Sequence, residues 1–170
     1  MSETPLWMAA ASMAARAHGG QTRRDGRTPY VAHCFRVAMV VRDVFECDDE
    51  VCLAIALLHD VIEDTPADYD NVRRRCGAEV AEGVAALSKD MRRPEPEREP
   101  AYDEQIAAAS WRAKLVKLAD TVDNLIDTEG PTDKARARLG RALAIAEADT
   151  SGRLGPAIAA SRGVLERFSG

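Results

Sequence analysis

Aromatic side chains make up only 5% of the 170 residues, and β-branched residues rarely run together. Little therefore favours strands, whereas abundant Ala and Leu favour helices packed closely through small side chains. The four cysteines, Cys34, Cys47, Cys52 and Cys76, form no CxxC pair. Most lie in apolar helical contexts, where a free thiol acts as a small hydrophobe, so they read as reduced. Charge of one sign is not dominant either: 23 Lys and Arg against 28 Asp and Glu leave a formal charge of -5. The two signs are interspersed, which excludes a global basic field for nucleic acid and requires any anionic ligand to be drawn locally. No uncharged run reaches membrane-spanning length. The Ala-rich start "MSETPLWMAAASMAARAH" lacks the basic region of a secretory signal. Together these absences predict a soluble, cytoplasmic protein with neither a membrane nor a nucleic-acid partner.

What is present reads as helix nearly throughout, in one domain over residues 1–170, a length able to bury a real core. A first helix is expected over about 5–18, with Thr4 as N-cap and Pro5 as its first residue. Gly19–Pro29, "GGQTRRDGRTP", is a loop. A second helix is expected from about Pro29 or Tyr30 to Phe45. A third starts at the acidic Asp48–Glu50, where negative charge suits a helix N-terminus, and runs unbroken to Thr65–Pro66. Short helices are expected at about 68–76 and 78–89, split by Gly77. The proline-rich Met91–Pro100 reads as an exposed loop. A helix from about 103 leads into Trp111–Asp127, closed by Gly130–Pro131, and two more occupy about 132–148 and 153–168.

Two of these helices carry polar groups where apolar ones are expected. "ALLHDVIEDTP", Ala56–Pro66, continues the apolar run from Val51 and then places His59, Asp60, Glu63 and Asp64 at its end. On a regular helix these four fall at about 0°, 100°, 40° and 140°, one sector opposite Leu58, Val61 and Ile62. A solvated acidic face is the plain reading, but no Lys or Arg occurs between Val51 and Ala67. Likewise Lys117, Asp120 and Asn124 share one face of "KLVKLADTVDNLID", opposite Leu115, Leu118, Val122 and Leu125. The chain has three histidines, His18, His33 and His59, and His33 lies in the apolar "PYVAHCFRVAMVV". A lone histidine there is usually a hydrogen-bonded core residue. With His59, Asp60 and Asp120, however, it completes a mixed nitrogen and oxygen set suited to Mn, Fe or Zn, whose charge would compensate the buried acids.

The order His33, then His59-Asp60, then Asp120, resembles the HD-domain metal phosphohydrolases. The stretches "AHGGQTRRDGRTPYVAH", "ALLHDVIEDTP" and "KLVKLADTVDNL" are similar to the hydrolase domain of RelA/SpoT proteins and to the small single-domain alarmone hydrolases, over about residues 5–128. The resemblance implies an all-α HD-type bundle, one Mn²⁺ per chain, and removal of pyrophosphate from the 3′ position of guanosine tetra- or pentaphosphate. It implies His33, His59, Asp60 and Asp120 as metal ligands, and Glu63 and Asp64 as the acidic pair that positions and deprotonates water. Arg23 would stack on guanine, Arg24 would meet phosphate, and Lys117 and Asn124 would also face the nucleotide. With no room for a synthetase, the chain would act as hydrolase only. Oligomeric state is not determined by the sequence, a homodimer being compatible with it.

Thr121 stands where the family commonly has Arg or Lys, Ile126 where it often has Arg, and Lys134–Ala148 lacks the family's aromatics. These departures leave open a phosphohydrolase acting on another phosphorylated nucleotide or dinucleotide cofactor. A catalytically silent nucleotide-binding module is the third alternative.

Overall fold

In the computed structural model, which describes residues 4–127 and 132–168, chain entry into the first helix is set by Pro5, whose backbone is extended (φ -51°, ψ 138°). Pro5, rather than Thr4, is therefore the N-cap of α1 (Leu6–Ala17), and its carbonyl accepts the Met8 N–H. The Gly-rich loop that follows is ordered by Asp25, whose carboxylate accepts from the Arg27 and Thr28 amides and from the Thr28 hydroxyl. Those bonds, Thr28's hydroxyl foremost, lower the Asp25 carboxyl to about 2. α2 (Val31–Met39) continues as a π-helical stretch, Val40–Val44, and ends at Phe45.

Asp49 starts α3 (Glu50–Leu58) by accepting the Cys52 amide proton, an N-cap bond that satisfies one orphan donor. The expected unbroken helix to Thr65 does not form. His59 and Asp60 make a turn, and α4 (Val61–Asp64) starts again beyond it. Consecutive residues of a continuous helix diverge by about 100°. The turn, with Asp60 at φ -99° and ψ -2°, lets both side chains reach one point while Leu58 and Val61 stay fully buried.

Asp68 opens α5 (Tyr69–Cys76) with a capping box to Asn71, and Gly77, at φ 92°, separates it from α6 (Ala78–Leu87). Met91–Pro100 is not a loop throughout: Glu95 begins α7 (Glu95–Ala108), which contains Pro96 and Pro100. Pro96 falls in the first turn, where its missing N–H has no intrahelical partner to lose. Pro100 does forfeit a helix bond, and the burial of Tyr102 and Ile106 further along the helix holds the segment in place. Ser110 caps α8 (Trp111–Ile126), so α7 and α8 are separate helices. The expected terminator Gly130–Pro131 lies outside the described residues. Thr132 then caps α9 (Asp133–Glu147), and α10 (Gly155–Arg167) closes the chain.

Among the described residues there is no strand, only an isolated bridge from Thr22 to Pro29. α3 runs through the core, with Cys52 and Ala54–Leu58 buried, and packs against α1, α2, α6 and α8. Gly83 lets α6 approach it closely: a Cβ there would sit 2.3 Å from Ile55 Cδ1. α8 turns Leu115, Leu118, Val122 and Leu125 inward and is covered by α9 and α10. All four cysteines are free thiols. No helix among the described residues is long and apolar enough to cross a membrane.

Candidate functional site

The start of α2, the turn after α3 and the polar face of α8 meet at one point. His33 Nε2 and His59 Nε2 are 3.2 Å apart. Asp60 Oδ2 lies 3.0 Å from His59 Nε2 and 3.7 Å from His33 Nε2. Asp120 Oδ1 lies 3.3 Å from His33 Nε2 and 3.7 Å from His59 Nε2. The tightest part of the group is His33, His59 and Asp60, whose ligand atoms all fall within 4.8 Å of one another.

The far side of each imidazole decides what faces this point. His33 Nδ1–H donates to Asp123 Oδ2 at 2.7 Å, and His59 Nδ1–H donates to the Ala56 carbonyl at 2.8 Å. In its neutral form each ring would then present its Nε2 lone pair inward, the arrangement that orients metal-ligating histidines. Two lone pairs at 3.2 Å repel unless a cation or a proton lies between them. Burial disfavours charge on His59, yet Asp60 and Asp120 outweigh it and hold the imidazole well above its ordinary value. Asp120 is in turn held well below its ordinary value, against burial, by Lys117, His33 and His59. The donor set thus calls for positive charge at its centre, and a divalent ion fits it.

Around this core lie supports that sequence reading did not single out. The Tyr30 hydroxyl donates to Asp60 Oδ2 at 2.6 Å and lies 3.2 Å from Asp64 Oδ2. Its ring stacks on His18, whose Nδ1 lies 2.8 Å from Gln21 Oε1, and Gln21 Nε2 donates to the Asp64 carbonyl. Asp123 also takes the Arg36 guanidinium at 2.7 and 3.0 Å. Arg36 reaches on to Asp127 at 2.8 Å, and Asp127 holds Arg23 at 2.9 Å. Tyr30 and Asp123 each stand three residues, about one turn, from His33 and Asp120, a spacing that surface residues share.

Glu63 and Asp64 line the wall of a cavity of about 650 Å³ with the cluster on its floor. Burial, with Asp60 close by, raises both carboxyls above their ordinary values. Glu63 Oε2 is fixed by the Lys89 amide, which donates at 2.7 Å. Lys117 also faces the cavity, but its ammonium is spent on Asp120 Oδ2 at 2.9 Å, and Asn124 Nδ2 donates to Asp120 Oδ1. Arg23 is committed to Asp127 and Asn124, over the Tyr30 ring, whereas Arg24 stands exposed at the rim. Thr121 bonds back to the Lys117 and Leu118 carbonyls. Ile126 is 53% exposed and lies outside the cavity lining, so its departure from the family does not touch the pocket. From the segment that lacks aromatics, Lys134, Arg138, Arg141 and Ile145 line the cavity instead.

An HD domain family model matches residues 10–144. The chain belongs to the HD domain family. Its relatives in that family include the human guanosine-3′,5′-bis(diphosphate) 3′-pyrophosphohydrolase MESH1, 41% identical over 127 residues covering 74% of this chain and 71% of the human protein. The Drosophila melanogaster MESH1 is 40% identical over 117 residues, 68% of this chain and 65% of that one. The bifunctional (p)ppGpp synthase/hydrolase SpoT of Escherichia coli is 37% identical over 131 residues, which are 74% of this chain and only 18% of SpoT. A solved structure described as "A metazoan ortholog of SpoT hydrolyzes ppGpp and plays a role in starvation responses" superposes with a TM-score of 0.85 at 28% identity. It covers 99% of this chain and 98% of that one. HD-domain hydrolases use a divalent metal, and the His33, His59 and Asp60 cluster is a place where this HD domain can hold one.

Proposed function

We propose that this protein hydrolyses guanosine 3′,5′-bis(diphosphate), and the corresponding pentaphosphate, releasing pyrophosphate from the 3′ position, with one Mn²⁺ per chain. The observation that carries the reading is the convergence of His33, His59, Asp60 and Asp120 beneath the Glu63–Asp64 pair, in a chain related to hydrolases of that name. These four side chains would hold the ion, which when bound acidifies water and offsets charge on the leaving diphosphate.

The chain's own groups supply the rest. Glu63 and Asp64, biased toward the protonated form by burial, accept the proton of the attacking water and retain it. The Lys89 amide and Tyr30 hydroxyl fix where those carboxylates point. Asp123 and the Ala56 carbonyl keep both histidines in one tautomer. Arg23, held flat by Asp127 and Asn124, offers a planar cation for the guanine, and Arg24 is free to meet phosphate. Lys117 and Asn124 steady Asp120 from both oxygens while lining the nucleotide's cavity.

The test is direct. Purified protein with Mn²⁺ should release pyrophosphate and leave guanosine 5′-diphosphate, and chelation should abolish the reaction. Absence of pyrophosphate release from metal-loaded protein would overturn the assignment, and a panel of phosphorylated nucleotides and dinucleotide cofactors would then identify the substrate.

A further inference from the structure

An unbroken run of charged contacts joins Arg23, the cation offered to the nucleobase, to His33, a proposed metal ligand. His33 Nδ1 donates to Asp123, whose two oxygens accept from Arg36 Nε at 2.7 Å and Nη2 at 3.0 Å. The same Arg36 Nη2 reaches Asp127 Oδ2 at 2.8 Å. That oxygen also accepts from Arg23, through Nη2 at 2.9 Å and Nε at 3.1 Å. Arg23 Nη2 donates once more, to Asn124 Oδ1 at 3.1 Å. Asn124 Nδ2 in turn donates to Asp120 Oδ1, the oxygen that lies 3.3 Å from His33 Nε2. The contacts therefore close into a ring that passes through two proposed ligands, and along Asp123, Arg36, Asp127 and Arg23 its charges alternate in sign. Helix spacing builds it: His33 and Arg36 stand about one turn apart on α2, as do Asp123 and Asp127 at the end of α8. Arg23, Asn124 and Asp127 line the metal cavity, whereas Arg36 and Asp123 lie outside its lining.

Exposed ion pairs contribute little to stability one by one, and the Arg36 and Asp127 side chains are 37% and 33% exposed. Orientation is what the ring supplies. A guanidinium, with donors along two edges of a rigid plane, holds two carboxylates at once, which a single ammonium on a flexible stem does not. We infer that Arg36 and Asp127 are positioning residues that aim Arg23 at the nucleobase and tie its placement to His33, so that nucleotide and metal each strengthen binding of the other. The inference rests on the nucleotide reading above and deepens it. Arg36 is the shared member of the two arms: it reaches Arg23 through Asp127 and His33 through Asp123. Linkage makes the effect reciprocal, since whatever affinity the nucleotide gains from the metal, the metal gains from the nucleotide.

Variants of the two residues separate this link from a merely structural role. Asp127→Asn breaks the Arg23 arm alone, so KM for guanosine tetraphosphate should rise about tenfold with kcat little changed. Its Mn²⁺ affinity, read by calorimetric titration, should stay near wild type. Arg36→Met breaks both arms, and should raise that KM about tenfold while also weakening Mn²⁺ binding about tenfold. Arg36→Lys should keep the wild-type melting temperature without restoring either affinity, because one ammonium cannot bridge both carboxylates. In R36M/D127N, KM should be no worse than in R36M, since both changes cut the same arm. Losses that multiply in the double variant, wild-type Mn²⁺ affinity in R36M, or full rescue by lysine would overturn the proposal. Titration with guanosine 5′-diphosphate reads the Arg23 arm without turnover, and R36M and D127N should each bind it more weakly than wild type. A wild type that binds this diphosphate but does not hydrolyse guanosine tetraphosphate would sink the functional reading alone. Equal affinity for it in wild type and both variants would sink the ring.

Discussion

At the scale of single residues, the centre depends on groups that do not themselves face the cavity. Asp123 is the clearest of them. It is almost fully buried, accepts the His33 Nδ1 proton and is clamped by Arg36. Asp123→Asn keeps an oxygen for His33 but loses the charge and cannot satisfy Arg36 on both edges. Mn²⁺ affinity should fall by about 10- to 100-fold, read by calorimetric titration, with the far-ultraviolet circular dichroism spectrum unchanged. The proposed ligands His59 and Asp60 stood out in the sequence because a histidine beside an acid is conspicuous at the end of an apolar run. Asp123 did not, because a buried aspartate one turn from Asp120 has the same local pattern as a surface salt-bridging residue. Only the approach of α2 to α8, which no local pattern contains, gives it a histidine to hold.

At the scale of elements, helix existence was readable and helix continuity was not. Apolar periodicity located α1, α2, α8, α9 and α10 within a few residues. The break at His59-Asp60 has no Gly or Pro to announce it, because its cause is tertiary: both side chains must reach His33 and Asp120. Conversely, Pro96 and Pro100 suggested a loop, yet packing of Tyr102 and Ile106 carries α7 through them, an instance of tertiary contacts overriding propensity. The α3–α6 crossing offers a test of how closely the elements fit. Gly83→Ala drives a Cβ into Ile55, at 2.3 Å from Cδ1 and 2.8 Å from Cγ1. It should cost about 1–3 kcal/mol in chemical denaturation. Ile55→Val, which removes the nearest of those atoms, should recover part of the loss; full additivity of the two changes would contradict a direct clash.

At the scale of the molecule, a charged clamp joins three helices away from the cavity. Arg112 at the start of α8 holds Asp49, the N-cap of α3, at 2.8 Å and Glu79 of α6 at 2.6 Å. Hydrogen bonding to Arg112, opposed by burial, lowers the Asp49 carboxyl below its ordinary 3.8. A depressed folded-state value stabilises the protein above the unfolded value, and the contribution vanishes as pH falls through the folded one. Asp49→Ala should therefore be less stable than wild type at pH 6, by about 1 kcal/mol from the cap alone. That gap should narrow steadily as pH drops below 3.8. A gap constant across that range would show that the ionised clamp contributes nothing.

The account as a whole turns on one ion held by side chains from α2, the α3–α4 turn and α8. Its most direct test is calorimetric titration of Mn²⁺ into metal-free wild type and His59→Ala, with thermal melts of both in parallel. One ion per chain and a raised melting temperature in the wild type, both lost in H59A, is the predicted result. A wild type that takes up no metal, or an H59A protein that still binds one ion per chain, would contradict it.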